Sequence, residues 1–354
     1  MPEGTGEGKG KRVKERNGFA FSPQERDRLG WGGVSLSQEY RGPASVITID
    51  CHFLQPGRAS AYLIREKDRA AFVDNNRSEA VPHLLRALKE HGLQPEQVEY
   101  AILTHIHLDH AGGTSALLEA CPEAMVLAHP RAACHLIDPS RLLASAEKIY
   151  GKELLEAVYG TIKPIPADRV RAVEDGERLT FGQRTLTFLH TPGHARHHLC
   201  IYDSESNGIF TGDTFGVSYG PLRQGGPPCL LPSSPPTDFN PEQARRSVQK
   251  ILQTGAERAF LGHFGEYAPL REGADQMFQG LDLLKEILKE IPTAGRPGED
   301  LLAFAEGRVR TAIEQLLARG CRLSLAEEDW MALEPEIRLS AQGLLHAAQR
   351  IYPA

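Results

Sequence analysis

Four candidate metal ligands fall within six residues in the run Thr104-His105-Ile106-His107-Leu108-Asp109-His110-Ala111-Gly112-Gly113. A solvated loop gains nothing from that density. Buried without a partner, the same groups carry a desolvation penalty that few folds tolerate. Imidazole nitrogens and carboxylate oxygens are the donors that Zn, Fe and Mn accept. The run follows the apolar stretch 98–103, which reads as a buried strand. Alternate side chains of an extended segment share a face, so His105, His107 and Asp109 are expected to project together from the strand end. His110 is out of phase and joins them only where the chain turns. Gly112-Gly113 permits that turn ahead of a helix starting at Thr114.

Three more donors recur in one kind of context: His194 after Thr191-Pro192-Gly193, Asp213 after Phe210-Thr211-Gly212, and His263 after Phe260-Leu261-Gly262. Each follows a short apolar run and a glycine, which places it at the rim of a sheet. Each alone is weak, because a single histidine after a strand is more often structural. His52, His83, His91, His129, His135, His190 and His346 stand outside the pattern.

Around these motifs the chain alternates between two hydrophobic periods. Residues 45–49, 60–64 and 70–73 are short apolar runs between turn formers, and 81–91 repeat apolar residues at helical spacing up to Gly92. Residues 124–128 read as a strand, 130–160 as helical, and 170–212 as strands broken at Asp175-Gly176 and Asn207-Gly208. The Gly/Pro-rich stretch 216–237 is not a regular element, and its position after Asp213 predicts a substrate-facing lid. Amphipathic helices are expected from 272 to the end, with Met277, Leu281, Leu284, Ile287 and Leu288 on one face. The chain thus divides into a disordered or extended tail (1–33), a catalytic domain (34–271) and a helical domain (272–354), an α+β organisation.

Composition narrows the function. A net charge of −6 gives no reason to expect nucleic acid or an anionic membrane as partner, the basic cluster at 9–16 notwithstanding. No apolar run reaches the ~18 residues of a membrane span, and the N-terminus has no apolar signal region. The six cysteines are scattered without a CxxC pair, which predicts free or buried thiols in a reducing cytoplasm. The expected partner is a small-molecule substrate, with a homodimer left open.

The order HxHxDH, then His, Asp and His, over about residues 45–265, resembles the metallo-β-lactamase superfamily. The resemblance implies an αββα sandwich carrying the site along one edge, here with a C-terminal helical accessory domain. It also implies that His105, His107 and His194 hold one metal, that Asp109, His110 and His263 hold the other, and that Asp213 bridges them. Thr191-Pro192-Gly193-His194 looks more like the hydroxyacylglutathione hydrolase and lactonase branch than like true β-lactamases. Two motifs depart from the usual pattern. Asp74-Asn75-Asn76 stands where relatives often have Asp-Thr-Gly or Asp-Ser-Gly; Asp74 fits a supporting role, and Asn tolerates left-handed backbone angles. The fourth motif continues Ala195-Arg196-His197-His198, in which His198 is a candidate hydrogen-bond support.

The cofactors implied are two divalent metals, Zn first, with Fe or Mn as alternatives. Such a pair ~3.5–4 Å apart lowers the pKa of a shared water towards ~7 and polarises the electrophile. Asp109 is expected both to bind metal and to orient the nucleophile, which makes it the catalytic candidate. Tyr219 and Tyr267 are the candidate substrate-binding residues. The leading activity is hydrolysis of a thioester, lactone or ester. The alternatives are an iron oxygenase of the same fold, similar to persulfide dioxygenases, and then a phosphodiesterase or nuclease.

Overall fold

The structure is a computed structural model and describes residues 46–223 and 228–353. The tail expected over 1–33, with its basic cluster, lies outside the described residues, as do four residues of the 216–237 stretch.

Among the described residues the strands form two six-stranded sheets in strand order β1-β2-β3-β4-β5-β6 and β12-β11-β10-β9-β8-β7. The first contains β1 (Val46–Asp50), β2 (Ser60–Glu66), β3 (Arg69–Val73), β4 (Val98–Ile102), β5 (Met125–Ala128) and β6 (Val170–Ala172). The second contains β7 (Arg178–Phe181), β8 (Arg184–His190), β9 (Leu199–Asp203), β10 (Gly208–Gly212), β11 (Arg258–Leu261) and β12 (Gly265–Tyr267). Strand β2 shows why the layers stack. Its Tyr62 and Ile64 face the second sheet, where they meet Phe188, Ile201 and Phe210. Its Ala61 and Leu63 face outward onto helices. A strand buried on both faces reads as a near-continuous apolar run, which is how SAYLI reads.

The first sheet is covered by α1 (Val81–Glu90), α3 (Thr114–Ala120) and α4 (Pro130–Ile137); the four-residue α2 (Leu108–Ala111) precedes α3. Helices α5 (Ser140–Tyr150) and α6 (Lys152–Tyr159) close a small apolar cluster with Phe53 and Leu108. The second sheet is covered by α7 (Pro241–Gln253) and α8 (Leu270–Glu290). The result is the four-layer αββα sandwich, with α9 (Gly298–Leu316) and α10 (Glu327–Ile351) as a C-terminal extension.

Three differences from the sequence reading concern this extension. Leu270, Ala274 and Met277 of α8 belong to the core of the second sheet, so the boundary expected at 271/272 falls inside a layer of the sandwich. The described part of the stretch after Asp213, expected as a substrate-facing lid, is packed down as a buried strap. Val217 and Leu231 pair as an antiparallel bridge, and with Tyr219, Leu222 and Phe239 they share one core with α8, α9 and α10. The apolar residues scattered among its prolines are what the terminal helices bury. Helix α10 crosses the strap so closely that a Cβ on Gly343 would overlap the carbonyl oxygen of Ser234. The same packing corrects the expectation of unpaired cysteines: Cys229 of the strap and Cys321, 92 residues later, form a disulfide with Cα atoms 5.8 Å apart. Cys51, Cys121, Cys134 and Cys200 are free.

Candidate metal centre

Strand β3 runs parallel to β4, and β10 runs parallel to β11, so their carboxyl ends lie side by side at one rim. In open α/β sheets that rim is where ligands bind. Asp74 and Asp213 follow β3 and β10 directly, His105 and His263 come within three residues of the ends of β4 and β11, and His194 follows β8.

The HxHxDH run is not one extended segment. The strand stops at Ile102, and only His105 and His107 leave on extended backbone, His107 with φ −59° and ψ 145°. Asp109 and His110 belong to α2, which starts before the glycine pair and not after it. The turn that brings His110 in is held by Asp74-Asn75-Asn76. The amides of Asn75 and Asn76 both donate to the His110 carbonyl, at 2.9 and 3.0 Å, and Asn76 Nδ2 donates to the Asp109 carbonyl at 2.7 Å. Asp74 and Asn76 adopt φ of 56° and 58°, the left-handed backbone that Asn and Asp tolerate best.

All seven expected donors meet. His107 Nδ1 lies 3.0 Å from His105 Nε2 and 2.9 Å from His194 Nε2. His263 Nε2 lies 3.2 Å from His110 Nε2 and 3.3 Å from Asp109 Oδ2. Asp213 stands between the triads, with Oδ1 3.3 Å from His110 Nε2 and Oδ2 3.5 Å from His194 Nε2. The sets His105/His107/His194, Asp109/His110/His263 and His105/His110/Asp213 each have donor atoms within 4.8 Å of one another. Tetrahedral Zn–N bonds of ~2.0–2.1 Å imply nitrogen separations of ~3.3 Å, close to those observed.

Hydrogen bonding fixes which nitrogen of three of these rings points inward. Thr104 Oγ1 donates to Asp74 Oδ2 at 2.8 Å, so it accepts from His105 Nδ1 at 3.0 Å, and His105 Nε2 is left bare. His110 Nδ1 donates to Asp74 Oδ2 at 2.9 Å, and His263 Nδ1 donates to the Arg58 carbonyl at 2.8 Å. In the neutral rings His110 Nε2 and His263 Nε2 then both lack a proton, and they face each other across 3.2 Å. Beside them Asp213 Oδ1, although buried, has no hydrogen-bond donor. This arrangement needs positive charge. Burial works against ionising Asp213, yet His110, His263 and His194 outweigh it and hold its pKa well below the ordinary value. Burial likewise opposes a charge on His110, but Asp213 and Asp109 raise its pKa well above normal. His105 goes the other way: burial and then the neighbouring imidazoles push it well below. The donor set, the orphaned oxygen and the facing lone pairs fit a pair of cations.

His198 is fully buried, and its Nε2 accepts from the Asp213 amide at 3.2 Å while Nδ1 meets Thr191 and Thr214 hydroxyls at 3.0 Å. It holds the backbone that aims Asp213. Gly262 makes room for the second triad, because a Cβ there would lie 2.5 Å from His110 Cε1 and 3.0 Å from Asp213 Oδ1. Tyr219 reaches the centre, its ring 5.5 Å from that of His263. Tyr267 does not. It packs against Phe215 and its hydroxyl accepts from Gln276 Nε2 at 3.1 Å, because its alternation on β12 turns it towards α8. Sequence reasoning missed Arg58, whose guanidinium lies 4.8 Å from the Tyr219 ring, and Glu336 of α10, which accepts the Tyr219 hydroxyl at 2.8 Å. Neither carries a local motif. Thr104 and Thr214 adjoin ligand positions and were findable by asking what orients each ring.

A family model described as the metallo-beta-lactamase superfamily matches residues 54–263. A metallo-beta-lactamase fold-containing protein of Sulfurisphaera tokodaii is 28% identical over 61% of this chain and 78% of its own length. A Gallus gallus acyl-coenzyme A thioesterase is 24% identical over 67% of this chain and 82% of its own. A hydroxyacylglutathione hydrolase of Enterobacter sp. is 30% identical, over 53% of this chain and 54% of its own. The crystal structure of the archaeal protein superposes with a TM-score of 0.57 at 21% identity, covering 86% of this chain and 99% of that one. The chain belongs to the metallo-β-lactamase superfamily. It is a metallo-hydrolase of that fold. No helix among the described residues is long and apolar enough to cross a membrane.

Proposed function

We propose that His105, His107 and His194 hold one divalent cation, that Asp109, His110 and His263 hold a second, and that Asp213 bridges them. The observation that carries this reading is the bare nitrogen pair of His110 and His263 beside the orphaned Asp213 Oδ1. Zn is the cation of choice for a histidine-rich set, with Fe and Mn as alternatives. Bound there, the two ions supply hydroxide at neutral pH and a Lewis acid for the carbonyl under attack. The reaction proposed is hydrolysis of a small acyl substrate: a thioester first, then a lactone or ester. Relatives named as thioesterase and hydroxyacylglutathione hydrolase support the thioester.

The chain's own groups do the rest. Asp109 Oδ2, 3.3 Å from His263 Nε2, is placed to orient the nucleophile as well as to ligate. Asp74 and Thr104 keep His110 and His105 in the tautomers that turn lone pairs inward. Tyr219, fixed by Glu336 and Arg58, forms a wall on which the acyl group rests.

Metal analysis of the purified protein, followed by assays on thioesters, lactones, esters and phosphodiesters, tests the reading. Two Zn per chain with thioester turnover is expected. A single iron with oxygen uptake on a persulfide, or turnover of phosphodiesters alone, would overturn it.

A further inference from the structure

A cavity of about 480 Å³ is lined by His129, Arg131, His190, Arg196, Asp238 and Arg350, among others. That volume lies within the ~300–1,000 Å³ typical of small-molecule sites. Its charge is unbalanced. Three guanidinium groups face one carboxylate, Asp238, which pairs with Arg196 Nε at 3.2 Å. Among the described residues Arg350 donates only to the neutral carbonyls of Thr237 and Phe239. Arg131, exposed on the first turn of α4, makes no ion pair among the described residues. Two helices begin at the cavity wall, α4 after His129 and α7 after Asn240, and their positive ends add to the same field.

His129 adds a donor. The ring is only 8% exposed, and Nδ1 accepts from the Arg131 amide at 3.0 Å. The proton of the neutral ring therefore sits on Nε2, for which no protein acceptor is present among the described residues. Burial, then His190 and Arg131, lower its pKa to about 4, so the ring stays neutral near pH 7. Guanidinium forks match the oxygens of phosphate better than any other side chain does. His190 and Pro192 on its wall belong to the segment that carries His194, and Arg196 follows two residues later.

We propose that this cavity is an oxyanion subsite that takes a phosphate group borne by the substrate. Resting on the hydrolase reading above, it assigns the substrate class: an acyl thioester whose thiol carrier bears phosphate. The carrier's phosphate lies among Arg131, Arg196 and Arg350 while the thioester carbon reaches the centre past His194.

Two measurements on the full-length, metal-loaded protein test it. The first is calorimetric titration with methyl phosphate, acetate and sulfate. Methyl phosphate is expected to bind best, Arg131→Ala combined with Arg350→Ala to weaken it tenfold or more, and Arg131→Lys to recover part of the loss. Affinity unchanged in the double alanine variant would overturn the subsite and assign the phosphate to the metals. Preference for acetate would overturn the phosphate assignment. The second compares an acetyl thioester of a phosphate-bearing thiol with its dephosphorylated counterpart. The double variant should raise KM for the first at least tenfold more than for the second. Equal effects would overturn the substrate role. If the wild type hydrolyses neither thioester, the hydrolase reading fails while the titration still decides whether the subsite exists.

Discussion

Two buried charge clusters occupy opposite ends of the same strands. At one end β8 leads to His194, and β2 begins near the second triad, where the Ser60 amide donates to the Gly262 carbonyl at 2.8 Å. At the other end β8 begins with Arg184, β9 ends with Asp203 and β2 ends with Glu66. Arg184 is fully buried, bonded to Asp203 Oδ2 at 2.6 Å and to Glu66 Oε2 at 3.3 Å. Their remaining oxygens are also occupied: Asp203 accepts from Ser206 at 2.7 Å and Glu205 at 3.2 Å, and Glu66 accepts from Gln183 at 3.2 Å. Every acceptor there has a protein donor. The rim cluster instead holds two carboxylates and five imidazoles, in which Asp213 Oδ1 has no donor and the neutral His105, His110 and His263 turn bare nitrogens inward. The far cluster is complete as folded; the rim cluster keeps acceptors that a bound cation would satisfy. Buried charge alone therefore does not mark a site. The mark is a set of fixed acceptors with nothing to accept from.

The sharpest way to break this contrast is to truncate a shared group at each end. Asp213→Ala should abolish hydrolysis to beyond the ~10–100-fold loss expected of a supporting residue, with metal content falling, as elemental analysis would show. Arg184→Met should do the opposite, costing about 3–5 kcal/mol in urea unfolding because two carboxylates stay buried, while the folded fraction keeps its full metal content. Replacing Arg184, Asp203 and Glu66 together by apolar residues should recover most of that loss. If Arg184→Met lost metal as readily as Asp213→Ala, the two ends would not be independent.

Asp74→Asn tests a smaller effect. The amide cannot serve His110 Nδ1 and both Thr104 donors at once, so metal affinity should fall ~10–100-fold in competition with a chelator, with the fold intact. Acidity supplies the mildest probe. In chelated protein, His105 and His194 have folded pKa values below the unfolded ~6.5, driven first by burial, His194 down to about 3. The unfolded chain then binds more protons below pH ~6.5, so stability falls on acidification. His110 and His263 are raised by Asp213 and Asp109 against burial, so their contribution is present below ~6.5 and lost as pH rises through the folded values. Thermal unfolding of the chelated protein should peak between these limits, and loading with Zn should flatten the profile. A chelated profile as flat as the loaded one would remove the rim's pH sensitivity and the contrast with it.

Much of the site was legible before any fold was known, because coordination chemistry restricts residue type and spacing. His105, His107, Asp109 and His110 are adjacent in sequence, and His194, Asp213 and His263 each follow an apolar run and a glycine. The strands and helices were legible for a related reason, since buried strands and amphipathic helices leave distinct periods, whereas the αββα layering was implied by the resemblance of the metal motifs. Phase within the first motif was not, since the choice between extended chain and helix at Leu108 is made by Asn75 and Asn76 on another segment. The strap, the Cys229–Cys321 disulfide and Glu336 were equally hidden, and Tyr267 was misplaced.

What the sequence determined on its own is which atoms are available to bind cations, since that follows from side-chain chemistry and local order. What only the tertiary structure decided is how those atoms are aimed and what surrounds them. Thr104, Asp74 and the Arg58 carbonyl set the direction of the His105, His110 and His263 lone pairs, and Glu336 comes from 117 residues beyond Tyr219. Such contacts join segments whose separation along the chain carries no periodic or compositional trace, so they exist only once the layers have packed.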